Sequence, residues 1–220
     1  MVNRVIVLYV DGYFVNQWDA SCVVTLEEKG LSYTTARGLL RDGGGVPAAL
    51  AEKTRIARVP VLQHADTWLT ESLAIVEYLE EQFPAPAYAS VYPADPIARA
   101  KARQWMSFVR TELSTLRGEV SWWRHVYGEP PPATLSLACQ RDAHELLALV
   151  GWLVANNELG AWNIAHTDLA LTLLRVRSAG IPLEDDVAQF LDATLARPSV
   201  RKYLDHPRPP HRPPSAHAGG

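Results

Sequence analysis

Cysteine is scarce in this chain: 220 residues hold only Cys22 and Cys139, and neither belongs to a Cys-x-x-Cys pair. That shortage excludes a disulfide framework and a thiolate metal centre, and it points to a reducing cytoplasm. Excess charge of either sign is missing as well. A formal net charge of −3 with 20% charged residues leaves no basic face for a phosphate backbone or an anionic membrane surface. No uninterrupted run of about 18 apolar residues occurs, and the run from Val5 to Val10 is too short to span a bilayer and lacks a signal-peptide cleavage site. Metal-ligand spacing is also absent: His166 has no second His or carboxylate suitably placed, so no metal is expected. What the chain does have is 48% apolar residues, over a length that can bury one large core or two small ones.

Those apolar residues follow two different patterns. In the first part, Arg4–Val10 is a compact β-branched run that reads as a buried strand, ended by Asp11-Gly12. Helical character follows from about Asp19 to Lys29, with Gly30 as its C-terminal cap. Leu31–Thr35 alternates as a second strand, and the three glycines between Arg41 and Val46 mark a loop. Val59–Leu62 and Thr67–Leu69, separated by His64-Ala65-Asp66, read as a hairpin, and Ser72–Glu81 as a helix that buries Ile75, Leu79 and Phe83. The order is β-α-β-(loop or helix)-β-β-α, a thioredoxin-like α/β layout with a mixed four-stranded sheet.

Four prolines between Pro84 and Pro96 make a linker, and beyond it no strand pattern appears. Asp95-Pro96 is an N-cap followed by a first-turn proline, opening a helix expected to run to about Gly118. Further helices are expected at about Leu135–Asn156, Ile164–Ser178 and Leu183–Ala196, with a last turn or short helix at Pro198–Tyr203. The division is therefore 1–84 for the α/β domain, 85–96 for the linker and 97–205 for an all-helical domain. The Pro-, His- and Gly-rich tail 206–220 is expected to be disordered.

Two local features require a reason. Pro60 interrupts an apolar strand, where a missing N–H is tolerated only at an edge or in a special role. Thr70-Glu71-Ser72 places hydroxyls and a carboxylate where a helix exposes unpaired N–H groups. An extended backbone beside a helix N-terminus suits a small peptide and its carboxylate.

Val59-Pro60, followed eleven residues later by Glu71-Ser72 and the helix AIVEYL, resembles the glutathione-binding half of the glutathione S-transferase family. QWDASCVVTLEEKGLSY is similar to the family's first helix and second strand, and WNIAHTDLAL to the capping segment of its helical domain. Together these span roughly residues 5 to 205. The wording DGYFVNQWDASCVVTLEEKGL and WNIAHTDLAL resembles in particular the bacterial YfcF-like subgroup. The resemblance implies a cis Val59–Pro60 bond, with Val59 pairing main chain to main chain with the cysteinyl part of glutathione. It also implies that Glu71 and Ser72 hold the γ-glutamyl end. Glutathione would be the co-substrate, a small-molecule electrophile or peroxide the partner, and the assembly a homodimer.

The thiol-activating position departs from the family. Where the family has Tyr, Ser or Cys, this chain has Asn16, followed by Gln17 in place of the usual proline. An asparagine amide can donate to a thiolate but cannot form a mixed disulfide. The activator is Asn16, Tyr13, or no dedicated side chain. Cys22, among Val23, Val24 and Leu26, reads as a small buried hydrophobe. Arg58, Arg55, Lys53 or Arg41 could meet the glycine carboxylate; which of them does stays open, and Arg58 is the one expected to lie near the site. On the helical domain most of the aromatics read as core, but the resemblance implies that this face walls the electrophile pocket, for which Trp105, Phe108 and Trp122 are the candidates. The adjacent Trp122 and Trp123 diverge by about 100°, so one of the two can face it. Three functions stay open: a transferase that conjugates glutathione or reduces peroxides or disulfides with it, a glutathione-dependent isomerase, and a binding module that has lost its activator.

Overall fold

The computed structural model describes residues 5–37 and 46–210; Arg4, the triple-glycine loop with Arg41, and the tail 211–220 lie outside the described residues. The first seven elements are β1 (Ile6–Val10), α1 (Gln17–Glu28), β2 (Tyr33–Arg37), α2 (Ala48–Thr54), β3 (Val61–His64), β4 (Thr67–Thr70) and α3 (Ser72–Gln82). The sheet order is β2-β1-β3-β4. β1 runs parallel to β2, with Ile6 opposite Tyr33, and β3 is antiparallel to both β1 and β4. This is the thioredoxin-like mixed sheet expected from the sequence.

Several boundaries differ from those read from the sequence. β2 starts two residues later than the alternation of Leu31–Thr35 suggests, because α1 ends on Lys29 and Gly30 (φ 63°) turns Leu31 back so that its N–H meets the Leu26 carbonyl. β3 begins at Val61, after the cis Val59–Pro60 bond, so Pro60 precedes an interior strand and the edge-strand explanation does not hold. The segment between β2 and β3 left as loop or helix contains α2.

The helical part comprises α4 (Pro96–Thr111), α5 (Ser114–Glu119), α6 (Trp122–Tyr127), α7 (Leu137–Ala155), α8 (Ile164–Ser178), α9 (Asp185–Leu195) and α10 (Pro198–Leu204). The single helix expected up to Gly118 is broken at Glu112-Leu113. Leu113 turns inward and is fully buried, and the Leu116 N–H of α5 is capped by Asp142 of α7 at 2.9 Å. That cap comes from another helix, so no local pattern announces it. α6 is held by Ser121, whose side chain accepts the Trp123 N–H, and ends at Gly128 in the left-handed region. α8 is buried on nearly all sides, and its buried polar residues Asp168, Thr172 and Arg175 find partners on α1 and α4.

α1 joins the two halves. It packs on α3 of its own half and on α8 and α10 of the other, which explains why Cys22, Val23, Val24 and Leu26 are all buried. At its end the fully buried Lys29 Nζ lies 2.7 Å from Glu80 and donates to the carbonyls of Phe83 and Ala89, tying the linker to α3. Burial of this ammonium is tolerated because all three acceptors converge on it.

Two polar residues of α8 owe their roles to burial. The capping box at α8 does form, with His166 in the acidic position: its Nδ1 accepts the Asn163 N–H at 3.2 Å. Burial pushes the imidazole pKa down to about 4, so the ring is neutral and free to accept. Asp168 takes the Ser21 hydroxyl of α1 at 2.5 Å and the Arg110 guanidinium of α4. Residues 206–210 are held and not loose. The His206 ring stacks on Phe14 at 3.7 Å, Arg208 donates to the Phe14 carbonyl at 3.1 Å, and Tyr127 donates to the Pro209 carbonyl at 2.9 Å.

Candidate functional site

Where β3 begins and α3 begins, the chain forms a cavity of about 280 Å³ between the two halves, lined by Trp18, Arg58, Val59, Pro60, Glu71, Ser72, Arg110 and Arg117. Val59 lies outside the sheet ladder, which starts at Val61, so its backbone is not spent on a strand partner. Glu71 precedes α3 with φ 65° and ψ 111°, a sterically strained setting for an L residue and one that concentrates at ligand sites. No side chain caps α3. The first-turn N–H groups, beginning at the buried Ser72, therefore present a local positive end to an anion.

Five residues singled out from the sequence thus meet in one place: Arg58, Val59, Pro60, Glu71 and Ser72. Arg55 and Lys53 do not line the cavity. The sequence missed Trp18, Arg110 and Arg117. Arg110 is the hub: it pairs with Asp168, donates to the Met106 carbonyl at 2.8 Å, reaches Ser72 Oγ at 3.3 Å and lies over the Trp18 ring at 4.5 Å. Its Nε finds no acceptor. Arg117 donates to the Val109 carbonyl at 2.8 Å, and burial lowers its pKa, with Asp142 opposing and Arg110 adding to that shift. The seven-residue spacing of the two arginines was the nearest thing to a signal, since it puts both on one face of a continuous helix.

The aromatic wall is elsewhere. Trp105 and Phe108 are half-buried against the core of the helical half and do not line the cavity. Around α4, Arg110 lies about 140° from Trp105 and about 160° from Phe108, at roughly 100° per residue, so the face toward the cavity is the polar one. Trp122 is 3% exposed, set edge-on to His125 and Tyr203. Its neighbour Trp123 turns the other way and packs on Tyr13 with ring centroids 4.7 Å apart.

Neither Tyr13 nor Asn16 lines the cavity directly. Asn16 borders it through Val59: its Oδ1 accepts the Trp18 N–H at 3.1 Å, capping α1, while its Nδ2 donates to Asp19 at 2.9 Å and reaches the Val59 carbonyl at 3.4 Å. Asp19 is fully buried, and burial pushes its carboxyl well above the usual carboxylate range, against the opposing Asp11 N–H and Asn16 amide bonds. Cys22 is equally buried and its thiol is pushed up by burial, which leaves it a packing residue. Among the described residues no group of His, Cys, Asp or Glu is placed to hold a metal ion, and no helix is long and apolar enough to cross a membrane.

Comparison with known proteins agrees with this geometry. Residues 20–87 match the family model described as glutathione S-transferase, N-terminal domain. The chain is 34% identical to a glutathione transferase homolog from Burkholderia GL BGR1, solved with bound glutathione, with a TM-score of 0.75 and 92% and 97% of the two chains covered. It is 30% identical to the glutathione S-transferase-like protein tpcF of Aspergillus fumigatus, over 66% of this chain and 72% of that protein. Over 97 residues it is 40% identical to the maleylacetoacetate isomerase of Pseudomonas aeruginosa, covering 42% and 44% of the two chains.

Proposed function

The chain belongs to the glutathione S-transferase family, and from that premise we propose that its cavity binds glutathione and activates its thiol for conjugation to electrophiles or for reduction of peroxides or disulfides. The observation that carries this reading is the convergence of Val59-Pro60 and Glu71-Ser72 on one cavity. In the proposed complex the Val59 backbone pairs with the cysteinyl residue. The Ser72 hydroxyl and N–H take the γ-glutamyl carboxylate, and Glu71 takes the ammonium. Arg58, exposed at the rim, faces the glycine carboxylate. Residues 1–84 supply the glutathione side and 97–205 the side that meets the second substrate. Within the family, the wording of the first helix and of the α8 capping segment supports the YfcF-like subgroup, and the two buried free cysteines suit a cytoplasmic setting.

Ser72→Ala is expected to weaken glutathione binding by about 1–3 kcal/mol, the cost of removing one partner of a charged group. Titration calorimetry checks it, and unchanged affinity would remove Ser72 from the site. The likeness to the isomerase supports a second reading, in which glutathione is a cofactor regenerated each cycle. Consumption of one glutathione per turnover excludes that reading. The assembly is proposed to be a homodimer with the same patch on both copies, so light scattering at micromolar concentration should give the mass of two chains, and a single-chain mass overturns it.

A further inference from the structure

The cavity holds more positive charge than glutathione can use. Three of its lining residues are arginines, and the lone acid among them is Glu71. Arg110 is answered by Asp168, and Arg58 stands at the exposed rim. Arg117 differs from both: among the described residues Asp142 acts on it through its charge but makes no contact within ion-pair distance, and the guanidinium donates to a neutral carbonyl, that of Val109. Glutathione at neutral pH carries two carboxylates and one ammonium. If the ammonium meets Glu71, one carboxylate meets Ser72 beside Arg110, and the other meets Arg58, every charge of the peptide is matched before Arg117 is used.

Arg117 is also held from behind. The buried Arg175, which has no carboxylate partner among the described residues, donates to the carbonyls of Val120 at 2.5 Å and Arg117 at 3.4 Å, and to Gln17 of α1 at 2.8 Å. That bracket fixes the end of α5 against the start of α1, so the backbone carrying the Arg117 guanidinium is set in advance. Apolar compensation is slight, since Trp18 is the one aromatic residue lining the cavity. A neutral, purely apolar second substrate would leave a half-buried cation with only the non-contacting Asp142 to answer it, whereas an anionic one would pair with it directly.

We propose that the second substrate of this cavity is a small carboxylate-bearing electrophile, and that Arg117 is the residue that selects it. The inference rests on the reading of the cavity as a glutathione site. The test uses two glutathione thioethers of the product type that differ in one group, S-(4-carboxy-2-nitrophenyl)glutathione and S-(4-carbamoyl-2-nitrophenyl)glutathione, with glutathione itself as reference. By titration calorimetry the acid should bind about tenfold more tightly than the amide, a difference equal to about 1.4 kcal/mol. Arg117→Gln should erase that preference without changing the affinity for glutathione more than about twofold, and Arg117→Lys should keep part of it. Equal binding of acid and amide by the wild type overturns the proposal, as does a preference that survives in Arg117→Gln. A tenfold loss of affinity for glutathione itself in Arg117→Gln also overturns it, because Arg117 would then be a ligand of the peptide. A wild-type protein that binds neither glutathione nor the thioethers refutes the glutathione reading itself, an outcome distinct from a protein that binds glutathione and ignores the carboxylate. The wild-type comparison stands even if a variant fails to fold.

Discussion

Asp168→Ala is expected to cost about 3–5 kcal/mol of stability, the penalty for breaking a buried ion pair from one side. Asp168 is 1% exposed and accepts from two elements at once, the Ser21 hydroxyl of α1 and the Arg110 guanidinium of α4. Its removal leaves Arg110, 13% exposed at the side chain, without its counter-charge between α1, α3 and α4. The effect should reach the cavity, because the same guanidinium reaches Ser72 Oγ and covers Trp18. Urea unfolding monitored by tryptophan fluorescence measures the loss. The double variant Asp168→Leu with Arg110→Met is the control, since replacing both partners by apolar groups is often neutral or better. A loss below about 1 kcal/mol in Asp168→Ala would mean that the pair is effectively solvated.

What could be read from the chain alone divides by range of interaction. β1, the β3–β4 hairpin and α3 follow from neighbours a few residues apart, and so does the Val59-Pro60 to Glu71-Ser72 spacing, because a hairpin joins the two pairs. Arg110 and Arg117 were invisible as cavity residues because their placement depends on how α4 and α5 dock against α1, and on a helix break that Leu113 and Asp142 impose. Trp105, Phe108 and Trp122 do not line this cavity for a related reason. Composition shows that aromatics are dense there, but only packing decides which helix face turns to the cavity. The tail shows the same limit: no local apolar pattern reveals that His206 and Arg208 find partners on Phe14. The histidine at the capping-box position is a different case. Burial keeps it neutral, so it accepts a hydrogen bond as a glutamate would, and residue identity without environment hides that.

Asn16→Ala should lower the rate of conjugation or peroxide reduction about ten- to hundredfold. One hydrogen bond to a charged group is worth roughly 1.5–3 kcal/mol, and each 1.4 kcal/mol or so is a factor of ten if it acts fully in the transition state. Both amide N–H groups of Asn16 have acceptors, but unequally. The bond to Asp19 is 2.9 Å, while the one to the Val59 carbonyl is a weak 3.4 Å. A glutathione that pairs its cysteinyl N–H with that carbonyl competes with this weaker bond. On the proposed reading the displaced amide N–H would turn to the incoming thiol while the bond to Asp19 keeps the rest of the side chain in place. Loss of that donor raises the thiol pKa, so the rising limb of kcat/KM against pH should move to higher pH in the alanine variant. Asn16 also caps α1, and losing the cap costs about 1 kcal/mol of stability. Asn16→Ser separates the two roles, because serine is an equally good cap and returns a hydroxyl donor, so most of the activity should come back. Wild-type turnover in Asn16→Ala would remove Asn16 as the activator and shift attention to Tyr13 or to the backbone N–H groups opening α1. A slow alanine variant whose pH limb does not move would make Asn16 a structural cap alone. A wild-type protein that binds glutathione but turns over no thiol-reactive substrate would leave a binding module, in which the departure from Tyr, Ser or Cys at this position has cost the fold its chemistry.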